Sequence, residues 1–258
     1  MKLYGNSFYN FNCHDFVNFC RTFCKKTLAF TLAETLIVMG IIGVVAALTL
    51  PNLNSSTGDK EIVSKVNKIY SELNDAYGRA TAVYGPYETW NAFQDIKKSY
   101  ERISEFMKVT KTCGPNESGC FAANTFKSLK TGYTLTDSIA VYYKGVLASG
   151  MSVAIFPYVQ CFDEDVGCGN FYVDIDGPNK GSNTLGKDIF IFVWTKDNGV
   201  IPFSIDETEI LKCFKWGNSC AGWVIQNGNT DYKNADINGK CTNNNSIVLD
   251  LTTNTTCK

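Results

Sequence analysis

From Thr35 to Gly58 the chain carries no charged residue, and Leu36 to Leu50 is almost wholly apolar. At about 1.5 Å per residue, the roughly twenty residues from Leu32 to Leu53 match a bilayer core of about 30 Å, so this stretch predicts a membrane-spanning helix. The polar stretch Asn54–Gly58 follows, with Ser56 and Asp59 spaced like a capping box, and it is expected to restart or loosen the helix. Apolar residues then return at helical spacing: Ile62, Val66, Ile69, Leu73, Ala76, Ala80 and Val83. Gly85-Pro86 should end this amphipathic half, and a helix from Phe30 to Tyr84 would reach roughly 80 Å. A second helix is predicted from Glu88 to Val109, with Trp90, Phe93, Ile96, Tyr100, Ile103 and Phe106 or Met107 inward.

Past that point the periodicity shortens. "MSVAIFPYV" (151–159) and "NFYVDID" (170–176) alternate or run apolar. "DIFIFVWT" (188–195) and "GVIPFSI" (199–205) flank Lys196–Gly199, "KDNG", which reads as a hairpin turn. A helical spine followed by an antiparallel meander is an α+β layout.

Charge refines the picture at the amino end. Residues 1–29 hold Lys2, Arg21, Lys25 and Lys26 against Asp15, which leaves 20 basic and 24 acidic residues in the remainder, a balance of −4. Lys25 and Lys26 flank the apolar run, so the positive-inside rule puts residues 1–29 in the cytoplasm and the C-terminal domain outside. The mildly acidic remainder has no basic run longer than Lys97-Lys98, and no nucleic-acid partner is predicted. The single histidine, His14, precedes the apolar run; without it the rest of the chain has no Ser–His or Cys–His pair and no His-containing zinc site.

Of 11 cysteines, Cys13, Cys20 and Cys24 also precede the run. The eight that follow form an even set, as expected in an oxidising compartment. Cys113/Cys120, Cys161/Cys168 and Cys213/Cys220 share one spacing, too long to bridge along a straight helix. Each interval holds turn residues, so local disulfides are preferred, with Cys241/Cys257 as the fourth pair. Eight cysteines allow 105 connectivities, and this pairing is one of them.

Glu34 is the anomaly in the apolar segment. A carboxylate costs roughly 2.5–3.5 kcal/mol at the centre of a span, less near an end, and is retained where it has a partner. A secretory signal peptide cleaved near Ala46-Ala47 is the rival reading, but the run is long for a signal core and the acid would weaken insertion for no return.

"AFTLAETLIVMGIIGVVAALTLP" resembles the processing signature of type IV pilins and type II secretion pseudopilins. The resemblance implies cleavage of Ala29–Phe30 by a prepilin peptidase, N-methylation of Phe30, and Glu34 at the fifth mature position. Pro51 matches the kink proline of these helices; Ala29 departs from the usual glycine. The implied fold is pilin-like: a long N-terminal membrane-spanning helix packed on a small antiparallel sheet with disulfide-closed loops. It divides the chain into a cleaved leader (1–29), an assembly helix (30–53) and an extracytoplasmic domain (54–258). Glu34 would neutralise a neighbouring subunit's new amine and so set axial register. The implied partners are other pilin or pseudopilin subunits, the peptidase/methyltransferase and an inner-membrane assembly platform. The implied role is structural and non-enzymatic, a pseudopilus more than an adhesive pilus. A surface minor pilin acting in adhesion or DNA uptake, or an exported disulfide-rich binding domain, are the alternatives.

One loop carries candidate ligand chemistry. In "DIDGPNKGSNTLGKDIF" (174–190), Asp174, Asp176, Asn183 and Asp188 are hard oxygen donors on a glycine-rich turn of a kind that wraps calcium. The spacing is not that of an EF-hand, whereas the loop is similar to that of major pseudopilins, some of which bind calcium. A plain loop of Asx turns is the favoured alternative. Asp163-Glu164-Asp165 reads as an exposed acidic loop, not an acid/base pair. "GWVIQNGNTDY" (222–232) reads as a strand or a helix end with an Asn-Gly turn.

Overall fold

The computed structural model describes residues 31–258 except 91–94, 124, 136–138, 159–160, 162–166, 182, 204–206 and 258; the side chains of 46–57 and 207–209 also lie outside the description. The predicted cleavage bond Ala29–Phe30 and the acidic triplet 163–165 therefore fall outside it. The chain divides after Asn54 into two compact units.

Helix α1 (Leu32–Tyr84) runs unbroken through Pro51 and through Asn54–Gly58, so the expected restart at Ser56 does not occur. Polar residues in a helix cost at most about 0.7 kcal/mol each, and the packing of the turns that follow outweighs this. The Asp59 carboxylate instead pairs with Lys233 Nζ at 2.6 Å. Val66, Ile69, Leu73, Ala76 and Ala80 are buried as the periodicity predicts, and Tyr77 joins them. Val83 does not: it is 62% exposed. The inward stripe continues from Ala80 to Tyr84, which packs on Phe106 at 6.4 Å between ring centres, and Val83 falls beside it.

The second helix is shorter than predicted. Tyr87–Trp90 is a 3₁₀ turn, and α2 spans only Ile96–Ser104. Asp95 caps α2 by accepting the Lys98 N–H at 2.9 Å. Its C-terminal extension is lost because Val109 opens a strand, β1 (Val109–Cys113), paired with Leu147.

The second unit is built on a six-stranded antiparallel sheet in the order β1-β4-β5-β6-β7-β8, where β4 is Lys144–Leu147, β5 Ser152–Pro157, β6 Gly169–Asp174, β7 Ile189–Trp194 and β8 Val200–Pro202. A separate ribbon pairs β2 (Phe126–Lys127) with β3 (Thr134–Leu135). Side chains alternate across a strand, so the register assigns Val153, Ile155, Phe171, Val173, Phe190, Phe192 and Trp194 to one face, in a single buried cluster with the inward stripe of α1. Tyr70 stacks on Phe192 at 5.8 Å. The other face, with Ala154, Ile189 and Ile191, buries against Cys113, Cys120, Phe121, Phe126 and Ile139. Cover on both faces explains why β7, "IFIFVW", is buried at every position. Each such side chain is worth roughly 1.5–3 kcal/mol when fully buried.

Helices α3 (Glu207–Lys215) and α4 (Cys220–Asn227) complete the unit. Phe214 and Trp223 meet edge to face at 5.7 Å and extend the main core. Residues 222–227 are the end of a helix, stopped by Gly228 in the left-handed conformation (φ 63°).

Candidate functional site

Three arrangements carry potential function. The first is the head of α1. Thr31 precedes the first helical residue, and its Oγ1 accepts the Glu34 N–H at 3.2 Å. Glu34 Oε2 accepts the Thr31 N–H and the Thr31 hydroxyl, both at 2.9 Å. This is a closed capping box, which satisfies orphan donors of the first turn and places an acid at the positive end of the helix dipole. The signal was present as Thr-x-x-Glu and was missed, because Glu34 reads first as a charge in an apolar run.

Behind this cap the helix is apolar on every side. Leu36, Ile37, Val38 and Met39 are consecutive, cover more than a full turn, and are all exposed; Ile41, Ile42, Val44 and Val45 continue the surface. Among the described residues no helix is long and apolar enough to cross a membrane, and the described apolar side chains of this segment stop at Val45. Pro51 lies within the helix, its side chain outside the described residues.

The second arrangement is the β6–β7 loop, where the sequence places four oxygen donors. Asp174 ends β6 fully buried, and its Oδ1 accepts the backbone N–H groups of Asp176 (3.1 Å) and Gly177 (2.9 Å), an Asx turn. Burial, then the neighbouring Asp176, pushes the Asp174 carboxyl up to about 8. Asn183 is buried at φ 45°, its amide donating to Ala123 O at 2.6 Å. Asp188 accepts the Thr184 N–H. Asp174 Oδ2, Asp176 Oδ1 and Asn183 Oδ1 are buried without a hydrogen-bond partner. Gly181 (φ 106°) lets the chain pass close to two of the acids: a Cβ there would stand 3.1 Å from Asp188 Oδ2 and 3.4 Å from Asp176 Oδ1.

This loop opens on a cleft of about 430 Å³ that Glu61 and Lys65 of α1 share with Lys180 and Lys187 of the loop. Among the described residues no group of three or more His, Cys, Asp and Glu side chains is disposed to hold a metal ion. Among the described residues, then, no all-carboxylate cage is formed. The unpartnered oxygens of Asp174, Asp176 and Asn183 are the hard donors a calcium ion would find there.

The third arrangement is the set of staples. Disulfides join Cys113–Cys120, Cys161–Cys168 and Cys213–Cys220, the three pairs expected from spacing and turn residues, and Cys241–Cys257, the pair then left over. Cys213–Cys220 ties the last turn of α3 to the first residue of α4. Cys113–Cys120 closes a loop over the sheet. Beside that loop lies a buried charge that no sequence pattern marks: Lys144 of β4 is 1% exposed, and its ammonium donates to the carbonyls of Gly114, Ile139, Ala140 and Tyr142 at 3.1–3.3 Å.

Compared with known proteins, the chain matches no family model, no curated protein and no solved structure.

Proposed function

We propose that this chain is the structural subunit of a pilus-like filament, in the first place the pseudopilus of a type II secretion-like machine. It is processed at Ala29–Phe30, methylated on Phe30, held in the inner membrane with its N-terminus in the cytoplasm, and assembled through the first turns of α1. The observation that carries this reading is the apolar circumference from Leu36 to Val45, directly behind a capped acid. Burying such a surface on all sides takes lipid first and copies of the same helix afterwards. In this reading the chain catalyses no reaction.

Glu34 then has two tasks. Its Oε2 closes the capping box with Thr31, and its Oε1, which has no partner among the described residues, receives the amine of an adjacent subunit. An unpaired charge is costly in a low-dielectric bundle, so the pair selects one axial register. Glutamine also closes a capping box, and this separates the two tasks. Glu34→Gln and Glu34→Leu should both insert and both fail to form filaments, as seen by shear fractionation and electron microscopy. If Glu34→Gln assembles like the parent chain, the carboxylate serves only as a cap and the register role is gone. Deleting the gene and scoring secretion, adhesion and DNA uptake separates a pseudopilus from a surface pilin.

A further inference from the structure

The chain has three Asn-Gly dipeptides, Asn198-Gly199, Asn227-Gly228 and Asn238-Gly239, and one Asp-Gly, Asp176-Gly177. Each is chemically prone to ring closure, in which the glycine nitrogen attacks the preceding side-chain carbonyl carbon. That attack needs the glycine N–H released from any hydrogen bond. Gly228 N–H is bound to Val224 O at 3.0 Å as a helix C-cap, and Gly239 N–H to Asp236 O at 3.1 Å. Gly177 N–H is bound to Asp174 Oδ1 at 2.9 Å. Gly199 differs. Its carbonyl accepts both the N–H and the hydroxyl of Thr195, at 2.7 and 3.0 Å, but its own N–H makes no bond among the described residues. The Asn198 side chain is exposed and likewise makes none. Gly199 is in the left-handed conformation (φ 69°), and within the turn Thr195 Oγ1 accepts the Asn198 N–H at 2.9 Å.

We infer that Asn198 is the site of spontaneous deamidation in the folded protein, and that the other Asn-Gly pairs are protected by the bonds on their glycines. The Gly199 nitrogen forms a bond to Asn198 Cγ, the Cγ–Nδ2 bond breaks, and ammonia leaves with the proton from Gly199. Water then opens the succinimide: cleavage at Cγ gives aspartate, cleavage at the main-chain carbonyl gives isoaspartate, and the nitrogen regains a proton from water. The isoaspartyl product lengthens the turn by one methylene. Both ends of that turn are tied to α1, by Tyr77 OH to Thr195 O at 3.1 Å and by Val200 N–H to Asn74 Oδ1 at 3.0 Å, so the added length is confined to the β7–β8 hairpin. A new carboxylate also appears beside Asp197 and Lys196, the latter paired with Glu88 at 3.2 Å.

The test is to age the full-length chain, folded, in mildly alkaline buffer, and follow tryptic peptides by mass spectrometry after reduction and alkylation. Asn198 is the sole asparagine of the peptide Asp197–Lys212. That peptide should gain one dalton and split into aspartyl and isoaspartyl forms about tenfold faster than those holding Asn227 or Asn238, the factor imposed by opening one hydrogen bond. In the reduced, denatured chain that preference should vanish. Folded protein that converts all three with the same relative rates as the denatured chain would overturn the inference.

Discussion

Lys144→Met withdraws a charge from the interior while keeping an unbranched side chain of similar length. Three ammonium protons face four carbonyls at 3.1–3.3 Å, and charge-assisted bonds are worth roughly 1.5–3 kcal/mol each. Against this stands a desolvation penalty of several kcal/mol for a buried ion. That penalty is not fully recovered, because burial holds the Lys144 pKa below the usual lysine value despite the opposing Glu117. After substitution three of the four carbonyls keep a second donor: Asn116 N to Ala140 O at 2.6 Å, Glu117 N to Gly114 O at 3.2 Å, and Tyr142 N to Ile139 O at 3.2 Å. The loss should therefore fall below the 3–5 kcal/mol of a broken buried ion pair, at about 2–3 kcal/mol. For a domain of this size that lowers the melting temperature by about 5–10 °C, measurable by calorimetry on the full-length chain in detergent. An unchanged or raised melting temperature would refute the reasoning and make the cage incidental to stability.

Other consequences are equally direct. A carboxyl raised in the folded state stabilises fully below its unfolded value of about 4, and that contribution is lost as the pH climbs through the folded value of about 8. Chelated protein should therefore melt at progressively lower temperature across that window, and Asp174→Asn should flatten the slope. At the alkaline end, calcium should raise the melting temperature of the parent chain and not of Asp176→Asn; no response in either removes the cation from the β6–β7 loop. Replacing Cys241 and Cys257 by serine opens a loop with a sequence separation of 16 and should cost about 3 kcal/mol in urea unfolding. A loss below about 1 kcal/mol would mean that the unfolded tail is already compact.

The meander from β5 to β8 was legible because alternation, β-branched and aromatic residues and the Lys196–Gly199 turn all agree there. β1 and β4 were not, since "VTKTC" and "KGVL" each hold a lysine, and nothing in a sequence announces that Lys144 will find four carbonyls. Asn54–Gly58 misled in the opposite sense: its polar residues favour a break locally, but the apolar turns beyond it outweigh their small propensity cost. α3 and α4 were hidden by attention to the cysteines, although Ile210, Cys213 and Phe214 lie at helical spacing and are buried. In the candidate site the four loop donors could be named from composition. Which of their oxygens lack partners depends on backbone contacts from Thr184, Gly177 and Ala123, which only the fold brings together.

The filament account turns on where the functional chain begins. Isolating the membrane-associated protein and reading its first residue by mass spectrometry should give N-methylphenylalanine at position 30, with residues 1–29 gone. A chain that begins after Ala46-Ala47, or one that keeps its leader intact, would contradict processing at Ala29–Phe30 and with it the assembly role of Glu34.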